Sequence, residues 1–458
     1  MVRLFHVYYP VRTLVLLACE AIIVYTCFAL AAVVRLGADS YLALNYENGW
    51  FKILAVTLCS ILCSYYFDLY APQRFGSRTE TYFRILLVVG VMSFFLAALI
   101  YLFPEFAIAN QAFLLGLVML TFALLAWRAC YQWMMKQPIL RERVYVIGEG
   151  PRANHLVDAI RNRTDLGMEL VGWAGAIANG SVHRETVADQ LRTLGTRIPV
   201  DRVILAMSDR RGIMPVRELL DLRLAGIKVE DASSLLEKVN GKIELEGLHP
   251  SALIFAEGFR VGASFLLARR VVSFTIALVA LTICLPLIPI VAILVKLSSS
   301  GPILFRQERV GRKGEVFTVY KFRTMRRDAE AGTGAVWAGK NDPRVTRVGR
   351  ILRSTRLDEI PQLWNVLMGD MGFVGPRPER PEFVQWLTEK IPYYNLRHII
   401  RPGLTGWAQV RYRYGASIEE TQQKLEYDLY YIKHMSVALD LFIMFETIKT
   451  VVLRRGAR

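Results

Sequence analysis

The run "VVSFTIALVALTICLPLIPIVAILVKL", Val271 to Leu297, decides how this chain is built. It is apolar and long enough to cross a bilayer, for which about 20 apolar residues suffice. Two features oppose a crossing. Arg269 and Arg270 precede the run and Lys296 closes it, so cations flank both ends. Pro286 and Pro289 sit inside it, and each removes a backbone donor and clashes with the preceding turn. The expected form is a re-entrant helix that enters the membrane, bends near Pro286 and leaves on the side it entered.

The direction matters because the segment downstream is strongly basic. Between Arg306 and Arg356 stand 14 Lys/Arg against 5 Asp/Glu, in a chain of 458 residues with net charge +16. A crossing would carry this patch outside, against the bias that keeps basic segments cytoplasmic. A patch of this kind suits nucleic acid, anionic lipid headgroups or a phosphorylated small substrate. Membrane lipid and a phosphorylated substrate are the partners expected here, and nucleic acid is not.

Upstream, four runs have the length of membrane helices: about 11–34, 50–70, 83–103 and 111–135. Their loops alternate in charge. Residues 1–12 carry Arg3 and Arg12, residues 71–84 carry Arg74, Arg78 and Arg84 against Glu80, the 104–110 loop has only Glu105, and Lys136, Arg141 and Arg143 follow the fourth run. Both ends of a four-helix transmembrane bundle are thereby expected on the cytoplasmic side. Glu20, costly in lipid, is expected to face another helix. With 53% hydrophobic and 21% charged residues, the chain is too apolar for a typical soluble protein and too charged for membrane helices alone. The six cysteines all lie in apolar runs without a CxxC pair, and read as small buried hydrophobes.

Residues 141–260 read as a soluble, Rossmann-like α/β module. "RVYVIGEGPRA" is a strand, a glycine turn and a helix start; "VDRVILAMS" and "GIKVEDAS" are later strands. Gly148-Glu149-Gly150 holds only part of a dinucleotide fingerprint: Ala153 takes the third glycine position, Glu149 repels a pyrophosphate and Pro151 lacks an N–H. A structural or regulatory module is expected rather than a cofactor site. The order is thus membrane α plus α/β: a bundle over 1–140, the middle module over 141–260, and an α+β catalytic domain over 261–458.

The chemistry concentrates in that last part. "FRQERVGRKGEVFTVYKFRTM" alternates like a hairpin with its turn at Gly311–Gly314, and Lys321 and Arg323 share a face on a strand. In "ILRSTRLDEIPQLWNVL", Ile351 to Leu367, the acids Asp358 and Glu359 follow Arg350, Arg353 and Arg356. Pro361 fits the first turn of a helix, which puts both acids at a helix N-terminus. Cations and helix dipole are expected to lower the pKa of Asp358, which makes it a poor general base but an available nucleophile toward phosphorus. An anionic electrophile must be neutralised first; Lys321, Arg323, Arg377 and Arg401 can do that, together with a Mg²⁺ held by Glu359. In "GFVGPRPE" the two prolines fix the approach of Arg377. A solvated ion-pair network is the plainer alternative for the same charges.

"KFRTM", "RSTRLDEIPQLWNVLMGDMGFVGPRPE" and "IRPGLTGWAQV" resemble the bacterial sugar transferase family, the polyprenyl-phosphate hexose-1-phosphate (monotopic phosphoglycosyl) transferases, from about Arg269 onward. The preceding helices and Rossmann-like module resemble its large branch, which initiates exopolysaccharide or O-antigen synthesis. The resemblance implies a ping-pong reaction at the bacterial inner membrane. Asp358 takes the sugar-bearing phosphate of a UDP-sugar, expels UMP and passes the phospho-sugar to undecaprenyl phosphate. It also implies Mg²⁺ on Glu359, family active-site cations at Lys321, Arg377 and Arg401, and a homodimer. UDP-glucose and UDP-galactose are expected ahead of N-acetylated donors. Where the family often breaks its re-entrant helix at Ser-Pro, this chain has Leu285-Pro286, with Pro289 following. A nucleotide-sugar dehydratase is disfavoured because no Tyr-x-x-x-Lys occurs, and a DxD glycosyltransferase because no Asp-x-Asp occurs. A non-catalytic membrane scaffold for polysaccharide assembly is the remaining alternative. The segment "YDLYYIKHMSVALDLFIMFETIKTVVLRR", with Tyr427, Tyr430 and Tyr431 on one side, is expected to lie flat at the membrane interface.

Overall fold

The computed structural model describes residues 1–71, 78–106, 110–174, 191, 199–207, 214–246, 248, 253, 258–259, 262–327, 329, 342–412 and 417–453. Arg74, one of the loop cations between the second and third apolar runs, lies outside these residues. The chain divides into two compact units, one of residues 1–2 and 9–232, the other of residues 3–8 and 233–458.

The first unit begins with four apolar helices: α1 (Val11–Leu36), α2 (Gly49–Tyr66), α3 (Arg78–Leu102) and α4 (Asn110–Met134). All four contribute to one buried cluster that includes Val24, Phe28, Ile53, Val88, Met92 and Leu120. Glu20 does face another helix. Its carboxylate pairs with Arg128 Nε of α4 at 2.5 Å and accepts from the Tyr70 hydroxyl at 2.8 Å. A buried carboxylate persists in such a place only when paired.

The same unit continues into an α/β module: β1 (Glu142–Ile147), α5 (Pro151–Asn162), β2 (Met168–Ala174), β3 (Arg202–Leu205), α6 (Val216–Leu224) and β4 (Lys228–Asp231). The sheet is parallel in the order β2-β1-β3-β4. Val144, Val146, Val203 and Ile204 are fully buried, as strands covered by helices on a parallel sheet require. Gly148 has a packing reason: its φ is +131°, and a Cβ there would come within 2.5 Å of the Ala206 carbonyl carbon. The glycine lets β1 and β3 approach, which accounts for it without a nucleotide.

The second unit holds α7 (Ala232–Asn240, from Ser233 on) and then the broken helix, as α8 (Ala263–Cys284) and α9 (Leu287–Ser298). The break falls at Leu285-Pro286, where the proline substitutes for a ladder donor. Ala277 of α8 and Val291 and Val295 of α9 enter one buried cluster with Val319, Phe322, Leu352, Leu363 and Val366. The outer sides stay bare: Ile283 is 69% exposed, Ile293 60% and Leu297 80%. Among the described residues five helices, α8 among them, are long and apolar enough to cross a membrane, so this is a membrane protein.

The hairpin is present as antiparallel β5 (Leu304–Val310) and β6 (Val316–Phe322), with Phe305 opposite Lys321. There follow α10 (Arg347–Thr355), a 3₁₀ turn (Leu357–Glu359), α11 (Gln362–Met368), β7 (Gly372–Val374), α12 (Pro381–Lys390), β8 (Gly403–Thr405), α13 (Trp407–Arg411), α14 (Ile418–Lys433) and α15 (Val437–Val452). The C-terminal segment differs from its expected form. It is two helices, the second capped by the Ser436 side chain, and Tyr430 and Tyr431 are core residues, 0% and 1% exposed. The Tyr431 hydroxyl donates to Asp440 Oδ1 at 2.5 Å and the Tyr430 hydroxyl to the His6 carbonyl at 3.0 Å. Tyrosines with partners for their hydroxyls can be buried, and a stripe of them need not meet lipid.

Arg269 ties the foot of α8 to this framework. Buried, it donates to Asp440 Oδ2 at 2.7 Å and to the Val374 carbonyl at 2.9 Å. Arg269→Ala leaves the buried Asp440 without this cation, with the Tyr431 hydroxyl still donating to it. The expected loss is about 3–5 kcal/mol of stability, read as a lowered unfolding temperature in detergent or nanodisc, with Asp440→Asn partly restoring it in the double variant.

Candidate active site

The acids stand on a turn made by its neighbours. The Thr346 side chain accepts from Gly349 N at 2.9 Å and starts α10; Arg356, left-handed at φ 59°, ends it. That reversal turns the chain into the 3₁₀ segment, so Asp358 and Glu359 precede α11 on a separate turn. Pro361 is the residue before α11 and not its first, a shift of one position from the expected start. Both acids are buried, at 7% and 9% exposure.

Their surroundings differ. Glu359 Oε1 meets Lys321 Nζ at 3.2 Å, Arg377 Nη2 at 2.9 Å and Arg356 Nη1 at 3.6 Å. Asp358 Oδ1 is buried without a hydrogen-bond partner among the described residues. Burial alone would raise Glu359; Lys321, Arg377 and Arg356 outweigh it and hold the carboxyl well below its usual range. Asp358 moves the other way from the expected lowering. Burial first, and then the negative charge of Glu359, push it up to about 6, against Lys321, Arg356 and Arg353. Loss of solvent around the buried carboxyl, with a second negative charge beside it, outweighs the cations, and that is the physical reason for the correction. Burial also pushes the Lys321 ammonium down, against the pull of Glu359.

A cavity of about 1180 Å³ opens on both acids. Among its lining residues are 13 Lys or Arg against 4 acids, so the basic patch of the sequence folds inward around it. Lys321, Arg323 and Arg377 all line the cavity; Arg401 does not, and the charges that act on it are Arg270, Arg312 and Asp370. Arg323 is also spoken for in part: its Nη2 donates to the Val295 and Ser299 carbonyls at 3.3 and 2.6 Å, capping the end of α9. Pro286 and Pro289 lie at and just after the helix break and are not cavity residues.

The loop that carries Arg377 is held from behind. A Cβ on Gly375 would meet the Arg401 carbonyl oxygen at 2.6 Å, so only glycine lets the two segments pass. The Arg377 carbonyl accepts from Arg397 Nη2 at 2.9 Å, and Arg397 is itself paired with Asp428 at 2.9 Å. Sequence reasoning missed Arg397 and the contact of Arg356 with Glu359. Arg356 had a local signal, three residues before Glu359; Arg397 had none, since it lies 20 positions from its partner.

The resemblance also implies Mg²⁺. Among the described residues no group of three or more His, Cys, Asp or Glu could hold an ion. Mg²⁺ needs only one or two carboxylates when substrate phosphates and waters complete its shell. Adjacent carboxylates are present, and every ion pair of Glu359 among the described residues falls on Oε1, which leaves Oε2 to an ion. The residues therefore fit an ion shared with a phosphorylated substrate.

Comparison with known proteins gives the family. Residues 264–454 match the bacterial sugar transferase family, and residues 65–212 a family described as a CoA-binding domain. A UDP-N-acetylgalactosamine-undecaprenyl-phosphate N-acetylgalactosaminephosphotransferase of Aeromonas hydrophila is 41% identical over 242 residues, 53% of this chain and 56% of that protein. The UDP-glucose:undecaprenyl-phosphate glucose-1-phosphate transferase of Escherichia coli (strain K12) is 32% identical over 399 residues, 83% of this chain and 84% of that one. The exopolysaccharide production protein PSS of Rhizobium leguminosarum bv. phaseoli is 41% identical over 188 residues, 40% of this chain and 94% of the relative. With the site's geometry and this coverage, the chain belongs to the bacterial sugar transferase family, and it is an enzyme.

Two consequences of the raised Asp358 can be measured. Its carboxylate form falls away as pH drops through about 6, so kcat/KM for the donor should decline about tenfold per unit below that point. For stability the sign is opposite to a salt-bridged acid. A folded pKa above the unfolded value of about 3.9 means the ionised form costs stability at pH 7, and the cost fades as pH falls toward 4. Asp358→Asn should thus raise stability by about 1–3 kcal/mol at pH 7.5 and by little near pH 4, seen in paired thermal melts.

Proposed function

We propose that this protein transfers a hexose 1-phosphate from a UDP-sugar to undecaprenyl phosphate, releasing UMP and starting a surface polysaccharide, with Asp358 as covalent nucleophile. The observation that carries the reading is the divided pair: Glu359 gathers three cations while Asp358 keeps an unpartnered oxygen beside them. The family supplies the reaction class, and its named relatives act on undecaprenyl phosphate.

In the first half-reaction an Asp358 oxygen bonds to the phosphorus that carries the sugar. The bond from that phosphorus to the bridging diphosphate oxygen breaks, and UMP leaves with the electron pair. In the second, a phosphate oxygen of the lipid bonds to the same phosphorus, the aspartyl–phosphorus bond breaks and the carboxylate returns. Lys321, Arg356 and Arg377 face the developing charge from fixed positions, so little reorganisation accompanies attack. Glu359 orients these cations and, with the donor diphosphate, would hold Mg²⁺, whose contribution is further neutralisation of phosphate oxygens. Arg323 acts from the foot of α9. Arg401 is kept as a candidate for a substrate group outside the cavity. Donor identity stays within UDP-hexoses; relatives named for glucose and for N-acetylgalactosamine make both part of the panel to be assayed.

The membrane arrangement belongs to the same proposal. Four helices cross the bacterial inner membrane, while α8 and α9 enter from the cytoplasmic face and return to it, leaving the cavity cytoplasmic. The shared cluster of Ala277, Val291 and Val295 with catalytic core residues supports a hairpin whose two arms end on one domain.

Three measurements test this reading. Asp358→Asn should abolish UMP release and the trapping of labelled sugar phosphate on the protein; turnover above a thousandth of wild type would exclude it as nucleophile. Chelation of divalent metal should stop UMP release, and undiminished activity would remove the role given to Glu359 Oε2. A reporter fused after Arg458 should be cytoplasmic; a periplasmic reporter would replace the hairpin with a crossing.

A further inference from the structure

The cavity has two chemically different ends, and β5 measures the distance between them. Ile303 sits at the foot of α9, where its carbonyl accepts from Arg323 N at 2.9 Å. Val310, at the other end of the strand, donates to the Glu379 carbonyl at 2.9 Å. Residues 303–307 and Arg309 line the cavity along the way. From Leu304 to Arg309 the strand rises about 17 Å. Phe305, opposite Lys321, marks the level of the two acids.

The Arg309 end carries acids. Arg309 faces Glu379 at 3.5 Å and Arg397 faces Asp428 at 2.9 Å, so these two cations are each met by an acid, with Lys424 also acted on by Glu379. Gln409, Tyr412 and Thr421 also line the cavity and add amide and hydroxyl groups. Such a mixture suits hydroxyls and an amide-bearing base better than an additional anion.

The α9 end is the reverse. Ile288 and Ala292 of α9 line the cavity together with Ile303 and Leu304, which are 36% and 38% exposed. Arg306 and Arg327 also line it, are exposed, and have no acidic partner among the described residues. Arg327 Cδ lies 3.7 Å from where a Cβ on Gly301 would stand, so this cation is at the foot of the helix. An apolar wall continuous with a membrane helix, next to cations not neutralised by acids, is complementary to an anion with a long hydrocarbon tail.

We propose that this end is the acceptor subsite: a polyisoprenyl phosphate lays the first units of its chain along Ile288, Ala292, Ile303 and Leu304 and presents its phosphate to Arg306 and Arg327, while the donor's nucleoside occupies the Glu379–Asp428 end. The assignment rests on the reaction proposed above. It gives the two substrates separate entrances to one phosphorus, from the membrane and from the cytosol. It also explains why one cavity has acids among the cations at one end and, at the other, cations without acidic partners among the described residues.

The test separates the half-reactions. Leu304→Asp and the double variant Arg306→Gln/Arg327→Gln are assayed in nanodiscs, first with UDP-sugar alone for a UMP burst, then with undecaprenyl phosphate for discharge. The expected result is a burst within threefold of wild type, and an acceptor KM raised at least tenfold. Bursts and discharge falling in parallel would overturn the assignment, as would an acceptor KM within twofold of wild type. Binding of undecaprenyl phosphate to Asp358→Asn protein, without donor, supplies a measurement that needs no covalent step. There Leu304→Asp should weaken binding about tenfold or more, and an unchanged affinity overturns the subsite. Equal competition by phosphatidylglycerol would assign the end to bilayer headgroups and likewise overturn it. Failure of the wild-type burst alone would sink the covalent mechanism and leave the subsite judged by that binding.

Discussion

One carboxylate oxygen holds the catalytic unit's chemistry together. Glu359 Oε1 receives Lys321 from the β hairpin, Arg356 from the turn that ends α10, and Arg377 from the proline-bound loop. Segments separated by up to 56 residues are brought to one point by it. A buried charge is tolerated only when its partners offset desolvation, and the partners are held by the acid as firmly as they hold it. That mutual hold makes Glu359 an anchor for cations, while burial and the Glu359 charge dominate at Asp358. Neighbours in sequence thus acquire opposite characters, the pattern by which enzymes separate roles within a carboxylate pair.

The consequence for reactivity runs against a simple expectation. A strongly lowered pKa would keep Asp358 ionised over a wide pH range but make it a weak nucleophile. A value raised to about 6 leaves it largely ionised at neutral pH and more basic. Its unpartnered oxygen loses no hydrogen bond within the protein when it attacks. In the reaction proposed above, desolvation of the acid is part of its activation, and the cations on Glu359 are placed to receive the phosphate charge.

Much of this architecture was legible because it follows from local rules. The alternation of residues 304–322 specified the hairpin, the prolines at 286 and 289 specified a broken helix, and continuous Val/Ile runs specified a buried parallel sheet. The site was legible as a set of residue types, since Asp358, Glu359, Lys321, Arg323 and Arg377 do meet around one cavity. What could not be read was who holds whom. The basic stretch gave no reason for three cations to choose Glu359 and no sign that Asp358 is buried, and that burial reverses the direction of its shift. Arg401 carries a family signal but stands among Arg270, Arg312 and Asp370, away from the cavity lining. Tyr430 and Tyr431 looked interfacial because a stripe of tyrosines fits a membrane surface and a core equally well; the partners His6 and Asp440, distant or across a helix break, decide it.

The helix break and the acids are linked through a short path. The end of α9 is capped by Arg323, which follows β6 directly, and two residues before it on the same strand is Lys321, the ammonium on Glu359. A change in the angle of α9 would therefore be felt at β6, as well as at the cavity wall that Ile288 and Ala292 form. The Leu285-Pro286 break needs no serine hydroxyl to serve this purpose, because the helix is fixed at its foot by a guanidinium and along its length by Val291 and Val295 in the catalytic core. The apolar helix α9 is thus part of the wall of the cavity that holds Asp358 and Glu359, and the patch of basic sequence that argues against a crossing supplies much of the rest of that wall.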